Sequence, residues 1–364
     1  MTDNRTSSIH LVGSIPLADA AEVFEAVSNA IGGQVDRIPD GETGERTNWI
    51  AWQLPRLANN PGMEPDPASE IPRKQGAADG LAVDEPEFRF LRVKADTTAD
   101  ELHIETEYAH HAVESFSVFD AMQEAGSIAA GTRFQVCLPT PYAVASLYVS
   151  PDSWPTFLPA YERSLVGELT TIIDAVPADR LAIQWDVAME VIACEGLVAT
   201  PGDSAVEFTI DEVSRLCDLV APEIDVGVHL CYGDPGHKHL VEPTDAAILT
   251  ELANGIGAAV HSRLDWIHMP VPIERDDDAY FAPLAQLDVN DETDVFLGLV
   301  HMTDGLKGAQ RRMAAASKVL DAYGIATECG FGRRPSDTVR PLLELHKAAA
   351  VRSSGPNSGG RGAS

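Results

Sequence analysis

Three residues that could bind a metal ion stand in two segments far apart in the chain. His229 and Cys231 are two residues apart in an apolar segment, so on a β-strand both side chains would share one face. Cys329 lies in a second apolar segment near the end of the chain. One imidazole and two thiolates form a donor set typical of zinc, and three protein ligands leave a fourth position for an exchangeable group. Zinc deprotonates a bound thiol, which gives a nucleophile at neutral pH.

Instead of binding a metal ion, each cysteine could have a purely structural role. An isolated cysteine is most often a small buried residue, and a His-x-Cys pattern alone is weak evidence for a metal site. Cys137, Cys194 and Cys217 have no partner pattern and are predicted to be such buried residues. An odd, widely spaced set of five cysteines is not typical of a disulfide framework. The metal interpretation therefore depends on where the fold places the three candidate ligands.

The secondary-structure elements that would position these three candidate ligands are apolar strands that alternate with amphipathic helices. Eight such units are present, and most strand segments are near-continuous apolar runs, as expected for parallel strands buried on both faces. This pattern predicts an α/β fold of the (β/α)8 TIM-barrel class, with a doubly wound sheet as the alternative. The predicted strands are 9–16, 35–42, 133–141, 180–188, 224–233, 264–272, 294–304 and 325–332, and the clearest helices are 18–32, 245–260, 308–323 and 337–351.

The domain organisation follows from the same pattern. We predict one catalytic barrel over residues 1–352, with insertions after units two and four. The first insertion covers about 59–110 and is rich in Pro, Asp and Glu, and the second is a longer loop over 189–210. Residues 353–364 are rich in Gly and Ser and are predicted to be a disordered tail.

Composition excludes several classes of partner. The chain has 364 residues, of which 45% are hydrophobic, and a formal net charge of −30. This charge would repel a nucleic-acid backbone or an anionic membrane, so neither is expected as a partner. The sequence contains no long apolar run of the kind found in signal peptides or membrane spans. We therefore predict a cytoplasmic protein.

Polar side chains at the predicted strand ends are the candidates for substrate binding. Ser14, Glu42 and Asp186 follow the first, second and fourth predicted strands, at the end of a barrel where function collects. Two carboxylates across a barrel mouth can hold a cation. The structural alternatives are that Glu42 pairs with Arg46 and that Ser14 caps a turn or the first helix.

Taken in order, these segments resemble the C-terminal catalytic barrel of cobalamin-independent methionine synthase and the wider superfamily that includes uroporphyrinogen decarboxylase. The resemblance spans Gly13 to Arg333 and rests on residues 12–16 (VGSIP), Gly41-Glu42 with Arg46, residues 183–186 (IQWD), His229-x-Cys231 and Cys329-Gly330. It implies that His229, Cys231 and Cys329 bind Zn²⁺. It also implies that Ser14 holds the carboxylate of a thiol amino acid and that Glu42 and Asp186 hold its ammonium group.

The sequence departs from the family at three places. The family's fourth zinc ligand is a Glu at the end of the sixth strand, where this chain has His268, which could substitute, or Glu274 in the following loop. His301 and Asp304, the predicted catalytic residues, stand where the family has Asp and then His. The family's folate-stacking tryptophan is not evident after the third strand, where residues 137–141 (CLPTP) stand instead.

The sequence therefore predicts a methionine synthase-like transferase that uses zinc to activate a small thiol such as homocysteine for methyl or alkyl transfer. Its partners would be that thiol and a methyl or alkyl donor. One alternative is a metal-independent lyase or decarboxylase on the same barrel. Others are a transferase that forms or cleaves C–S bonds with a non-folate electrophile, and a non-catalytic sensor of thiols or metals.

Overall fold

The strands of the protein are short and lie mostly where the apolar runs predict them. The structure is a computed structural model that describes residues 9–69, 73–74, 87–233 and 239–353. Part of the first insertion lies outside the described residues, and so does the predicted tail 353–364 except Ser353, which ends the last helix. The strands are β1 (Arg37–Pro39), β2 (Met63–Pro65), β3 (Arg73–Lys74), β4 (Glu87–Phe88), β5 (Leu91–Val93), β6 (Arg133–Pro139), β7 (Leu181–Val187), β8 (Asp225–Leu230), β9 (Trp266–Pro270), β10 (Asp294–Gly298) and β11 (Gly324–Ile325).

Helices connect most of these strands, and several begin at a recognisable N-cap. Asp19, for example, accepts a hydrogen bond from the Glu22 N–H at 2.9 Å and so starts the first helix. The helices are α1 (Ala20–Ile31), α2 (Gln53–Ala58), α3 (Tyr108–Glu124), α4 (Pro141–Tyr148), α5 (Trp154–Ala175), α6 (Met189–Cys194), α7 (Ala205–Cys217), α8 (Ala247–Ala259), α9 (Asp278–Phe281), α10 (Gly305–Ala316) and α11 (Val339–Ser353). No helix in the described part of the chain is both long and apolar enough to cross a membrane.

Seven strands form a curled parallel sheet in the order β1-β6-β7-β8-β9-β10-β11. All ladder pairs in it are parallel, which requires crossover connections, and helix pairs such as α1 with α11 and α7 with α8 pack against each other around it. The remaining strands form two small antiparallel pairs, β2 with β5 and β3 with β4. Both pairs belong to the region predicted as an insertion, so this region adds structure outside the main sheet.

Residues 9 and 10 contact both edges of the curled sheet. The Ile9 N–H donates to the Gln34 carbonyl beside β1, and the His10 N–H donates to the Ile325 carbonyl in β11, each at 2.9 Å. Ile9 also pairs with Ile325 in an isolated parallel bridge. The segment predicted as the first strand, 9–16, thus forms only this bridge. An eight-stranded sheet is not formed, although both edges of the seven-stranded sheet meet the same two residues.

The predicted eighth strand, 325–332, is also shorter in the structure because its polar groups bond elsewhere. The Thr327 hydroxyl donates to the Cys329 carbonyl at 2.6 Å, and the Thr327 carbonyl contacts a ring nitrogen of His268 at 2.9 Å. The Phe331 N–H donates to the Ser14 carbonyl at 2.6 Å. The segment after β11 therefore forms a loop that carries Cys329 beside Ser14.

Large side chains fill the inside of the curled sheet below the site. Trp266 of β9 packs with Ala182 and Phe296. The Arg37 guanidinium lies 3.9 Å from the centre of the Trp266 indole ring. Gly227 of β8 permits this packing, because a Cβ atom at that position would lie 2.0 Å from the indole. The interior is thus closed at one end, and the residues predicted to bind a metal or substrate lie at the other.

Candidate metal centre

His229, Cys231 and Cys329 meet at the carboxyl ends of their strands. One ligand atom from each lies within 4.8 Å of the others, and the two sulfur atoms are 3.7 Å apart. His229 and Cys231 share one face because they are two residues apart along and just beyond β8, and the loop after β11 brings Cys329 to them. The structure therefore brings together the three residues that the sequence singled out.

The described residues contain one other group of possible ligands. It consists of Glu45, Glu107 and His111 and is largely exposed. Arg56 forms ion pairs with both of its carboxylates. This arrangement is a solvated salt-bridge cluster, so the His–Cys–Cys group is the stronger candidate for a metal centre.

The chemistry of the His–Cys–Cys group fits zinc. His229 and Cys231 are buried, and the His229 Nε2 atom has no hydrogen-bond partner among the described residues. A buried nitrogen without a partner is costly, and coordination of an ion would satisfy it. Two sulfurs and one imidazole nitrogen match the ligand types that zinc prefers, with one position left for an exchangeable group.

His268 lies behind His229 rather than with the sulfur atoms. Its Nδ1 atom is 2.7 Å from His229 Nδ1, and its Nε2 atom is 2.9 Å from the Thr327 carbonyl oxygen. Burial lowers the pKa of His268 to about 3. Because His268 pairs in register with His229 on the neighbouring strand, its ring lies at the same level, and both of its nitrogens have partners. This position differs from the fourth-ligand role predicted from the sequence. Glu274, the alternative, is exposed in its loop.

A cleft of about 980 Å³, including the part that is open to solvent, adjoins the candidate ligands. Its lining contains His229, Cys231 and Cys329 together with Glu42 and Asp186, and also Ser14. All three predicted substrate-binding residues thus border the same space as the candidate metal ligands.

The two carboxylates of the cleft, buried Asp186 and half-buried Glu42, influence each other. Burial raises the pKa of Glu42 to about 8, and the neighbouring Asp186 charge adds to this effect. Burial also raises the pKa of Asp186 to about 7, opposed by hydrogen bonds from Gln184, whose Nε2 donates to Oδ1 at 2.8 Å, and from Trp49. At neutral pH the pair therefore holds a proton, and a cation placed between the carboxylates would favour their ionised form.

Arg46 does not form its ion pair with Glu42. Its guanidinium binds Asp40 at 2.7 Å, and Asp40 also accepts hydrogen bonds from the Glu42 N–H at 2.9 Å and the Ser115 hydroxyl at 2.8 Å. Gly41 and Glu42 have φ angles of 81° and 50°. This left-handed backbone is unfavourable for glutamate and is held by the Asp40 contact, so the turn presents the Glu42 side chain to the cleft.

Ser14 is held against the loop that follows Cys329. Its Oγ atom accepts a hydrogen bond from the Gly332 N–H at 3.2 Å, so Ser14 partly serves the turn-stabilising role that was the alternative for it. A Cβ atom at Gly330 would lie 2.3 Å from the same Oγ. The close approach requires glycine at position 330, and it leaves the Ser14 hydroxyl hydrogen available to donate.

His301 and Asp304 are not paired with each other and are not among the residues that line the cleft. The Asp304 carboxylate binds the buried guanidinium of Arg312 at 2.8 and 2.9 Å. His301 Nε2 is 2.9 Å from the Val271 carbonyl oxygen. The structure thus gives Asp304 a structural partner, which differs from the catalytic role predicted from the sequence.

The other ring nitrogen of His301 faces a buried carboxylate. Its Nδ1 atom is 3.5 Å from Glu328, and His239 Nε2 contacts the same carboxylate at 3.1 Å. Although burial acts to raise it, hydrogen bonds with these two histidines hold the pKa of Glu328 well below its usual range. This cluster connects the loops after β8, β10 and β11 immediately behind Cys329.

Several cleft residues had no clear signal in the sequence. The apolar wall is formed by Ile50, Leu147, Tyr148, Met189 and Leu240. Trp49 also lines the cleft and bonds to Asp186. The one available signal is that large apolar side chains stand in segments that follow strands. Such side chains are common in any core, and only the fold shows which of them border the cleft.

Comparisons with known proteins identify solved structures that share this fold. No family model matches the chain, and no curated protein matches it. Among solved structures, a B12-independent methionine synthase from Shewanella sp. W3-18-1, in complex with selenomethionine, superposes with a TM-score of 0.57. It is 15% identical, over 96% of this chain and 98% of that chain. A protein from Listeria monocytogenes, provisionally assigned as a vitamin-B12-independent methionine synthase, gives a TM-score of 0.56 at 12% identity, over 95% and 97% of the two chains. What this protein shares with these two structures is the fold.

Proposed function

We propose that this protein is a zinc-dependent transferase that moves a methyl or alkyl group to the sulfur of a small amino-acid thiol of the homocysteine type. The observation that carries the proposal is the convergence of His229, Cys231 and Cys329 within 4.8 Å beside a cleft that two carboxylates also line. Support also comes from the structural neighbours described as methionine synthases, one of them in complex with selenomethionine.

In this proposal His229, Cys231 and Cys329 hold Zn²⁺. When bound, the ion lowers the pKa of a thiol at its exchangeable position, so that the thiolate is present at neutral pH. The protein contributes a preformed donor set, in which the two sulfur atoms already lie 3.7 Å apart. Little reorganisation is then needed when the ion binds.

Glu42 and Asp186 hold the ammonium group of the thiol amino acid. Their burial makes two negative charges costly, and a cation offsets that cost. Gln184 and Trp49 orient the Asp186 carboxylate through hydrogen bonds. The Ser14 hydroxyl, fixed by the Gly332 N–H, donates to the substrate carboxylate. The amino acid is thus held at both polar ends while its sulfur reaches the metal centre.

The apolar wall of the cleft suits the carbon that is transferred. Tyr148, Met189 and Leu240 lie on the wall and exclude water from the space beside the cysteines. Exclusion of water protects the reactive thiolate and strengthens its interaction with an approaching electrophile. The proposal assigns no step to Asp304, because its carboxylate already pairs with Arg312.

The proposal is tested by metal analysis combined with cobalt substitution. We expect about one equivalent of zinc per chain, and a Co²⁺-loaded protein whose sulfur-to-cobalt absorption increases when homocysteine is added. Homoserine, which carries a hydroxyl in place of the thiol, should leave that absorption unchanged. Transfer is then assayed as methionine formation from a panel of methyl donors. A protein that retains no metal would contradict the proposal and favour the metal-independent lyase alternative.

A further inference from the structure

Beside the candidate metal centre, two buried histidines are hydrogen-bonded to each other. His229 Nδ1 and His268 Nδ1 are 2.7 Å apart, which is a short hydrogen-bond distance. The other nitrogen of His268 is 2.9 Å from the Thr327 carbonyl oxygen, and the other nitrogen of His229 has no hydrogen-bond partner among the described residues. This arrangement constrains where the protons lie.

The ring protons of both histidines can be assigned from the acceptor at the end of this series of hydrogen bonds, the Thr327 carbonyl. A carbonyl oxygen can only accept, so His268 Nε2 must carry the hydrogen that it donates to Thr327. No carboxylate bonds to this fully buried ring, so His268 is neutral and its Nδ1 has a lone pair. The hydrogen between the two rings then belongs to His229 Nδ1. His229 Nε2 is left with a lone pair, which is the form of imidazole that binds a metal ion.

The same hydrogen-bond chain extends to the segment that carries a cysteine ligand. The Thr327 hydroxyl donates to the carbonyl of Cys329 at 2.6 Å. One continuous set of hydrogen bonds therefore runs from His229 on β8, through His268 on β9, to the segment after β11 that carries Cys329. A displacement of the His268 ring would therefore disturb both His229 and the segment that carries Cys329.

We propose that His268 is a positioning residue of the metal centre, which holds His229 as the tautomer protonated at Nδ1 and aligns it with the segment of Cys329. This inference rests on the proposed zinc function, and it replaces the direct ligand role suggested by the sequence. A direct bond from His268 to the same ion would require it to give up the hydrogen bond to His229 or the one to Thr327.

The test uses two variants of His268 and a matched control. His268→Leu removes both hydrogen bonds, whereas the amide of His268→Gln supplies one donor and one acceptor. The control is His346→Gln, because His346 is equally buried and bonds to the Leu342 carbonyl at 2.8 Å on α11. Zinc affinity is measured by competition with a chromophoric chelator. We expect His268→Leu to bind zinc about 10- to 100-fold more weakly, His268→Gln to recover most of that loss, and the control to match the wild type.

A second measurement reads the tautomer in the metal-free protein. Long-range ¹⁵N–¹H correlation spectra, with the His229 signals assigned from a His229→Gln variant, should show the hydrogen on Nδ1. A hydrogen on Nε2 would overturn the inference, and so would wild-type zinc affinity in a folded His268→Leu protein. If cobalt spectra showed that both His268 variants lose one nitrogen ligand, His268 would be a ligand and the inference would also fail. A wild-type protein without metal affinity would instead refute the proposed function on which it rests.

Discussion

The sulfur atoms of Cys231 and Cys329 lie 3.7 Å apart, although 98 residues separate them in the chain. This separation is longer than a disulfide bond, so the two cysteines are free thiols in contact. As thiols the two groups are within reach of a weak hydrogen bond, and as thiolates they could share an ion. The relationship therefore gives the most direct test of the metal centre.

We predict that Cys231→Ser and Cys329→Ser each abolish zinc retention, whereas Cys217→Ser does not. Cys217 is buried at the end of α7 and serves as the control, because it belongs to no group of ligand atoms in the described residues. Zinc per chain is measured after gel filtration by mass spectrometry. Equal zinc content in the three variants would contradict the ligand assignment.

For Asp186→Asn we predict a loss of thiol binding without a comparable loss of zinc. Replacing a buried carboxylate that holds an ammonium group should weaken homocysteine binding roughly 10- to 100-fold, the usual range for a charge-assisted hydrogen bond. Calorimetry with 4-mercaptobutanoate, which lacks the amino group, provides the control. Its affinity should be the same for wild type and variant. A wild-type affinity for homocysteine in Asp186→Asn would refute the ammonium role.

Binding of the amino acid should also depend on pH. The pKa of Glu42 is raised to about 8 and that of Asp186 to about 7, so below neutral pH both carboxyls are largely protonated and cannot hold a cation. The affinity for L-methionine, whose thioether does not titrate, should rise with pH by up to about tenfold per unit as a proton leaves the pair, and level off above pH 8. A flat profile between pH 6 and 8 would argue against this site for the ammonium group.

Asp304→Asn should cost stability. The Arg312 guanidinium is 0% exposed and binds both Asp304 oxygens, so the substitution leaves a buried charge without its partner. We expect a loss of about 3 kcal/mol in the free energy of unfolding by urea, compared with almost none for Asp276→Asn at the exposed partner of Arg311. A stable variant that loses transfer activity would instead support the catalytic role predicted from the sequence.

A buried carboxyl pair on α6 and α7 should make the fold less stable as pH rises. Burial raises the pKa of Glu190 to about 7, and burial together with the Glu190 charge raises that of Glu212. The folded state thus keeps a proton that the unfolded state loses above the ordinary glutamate pKa of 4.5, and the free energy of unfolding falls by on the order of 3 kcal/mol between pH 4.5 and 7. Thermal unfolding should show Glu212→Gln more stable than the wild type at pH 8 but not at pH 4.5. Glu207→Gln, at an exposed position of α7, should change neither value.

The sequence predicted the order of strands and helices because buried parallel strands are nearly continuous apolar runs. The helix predicted over 18–32 is α1 (Ala20–Ile31), and the strand predicted over 180–188 is β7 (Leu181–Val187). The ends of the sheet were less predictable. Residues 9–16 and 325–332 are as apolar as the other strands, but their backbone groups bond to a loop, a hydroxyl and a histidine ring. Such contacts depend on the fold and leave no local pattern.

The same distinction applies to the site. His229 and Cys231 were recognisable because a spacing of two fixes a common face on any strand. His268 was expected to bind the ion, since position along the strand does not show which nitrogens a ring has free. Its hydrogen bonds to His229 and to the Thr327 carbonyl come from two other strand segments. Trp49, whose φ is 48° and which contacts Asp186, depends in the same way on a turn that the sequence does not reveal.

The position of Cys329 after the short last strand β11 also has a consequence for how the protein matures. The first two donors, His229 and Cys231, leave the ribosome long before the third, which follows 98 residues later. The proposed coordination sphere would therefore be complete only after β11 has folded into the sheet, where the Ile325 carbonyl accepts from the His10 N–H. In the proposed metal centre, only chains in which the loop that carries Cys329 has reached the sheet would hold the ion with all three ligands.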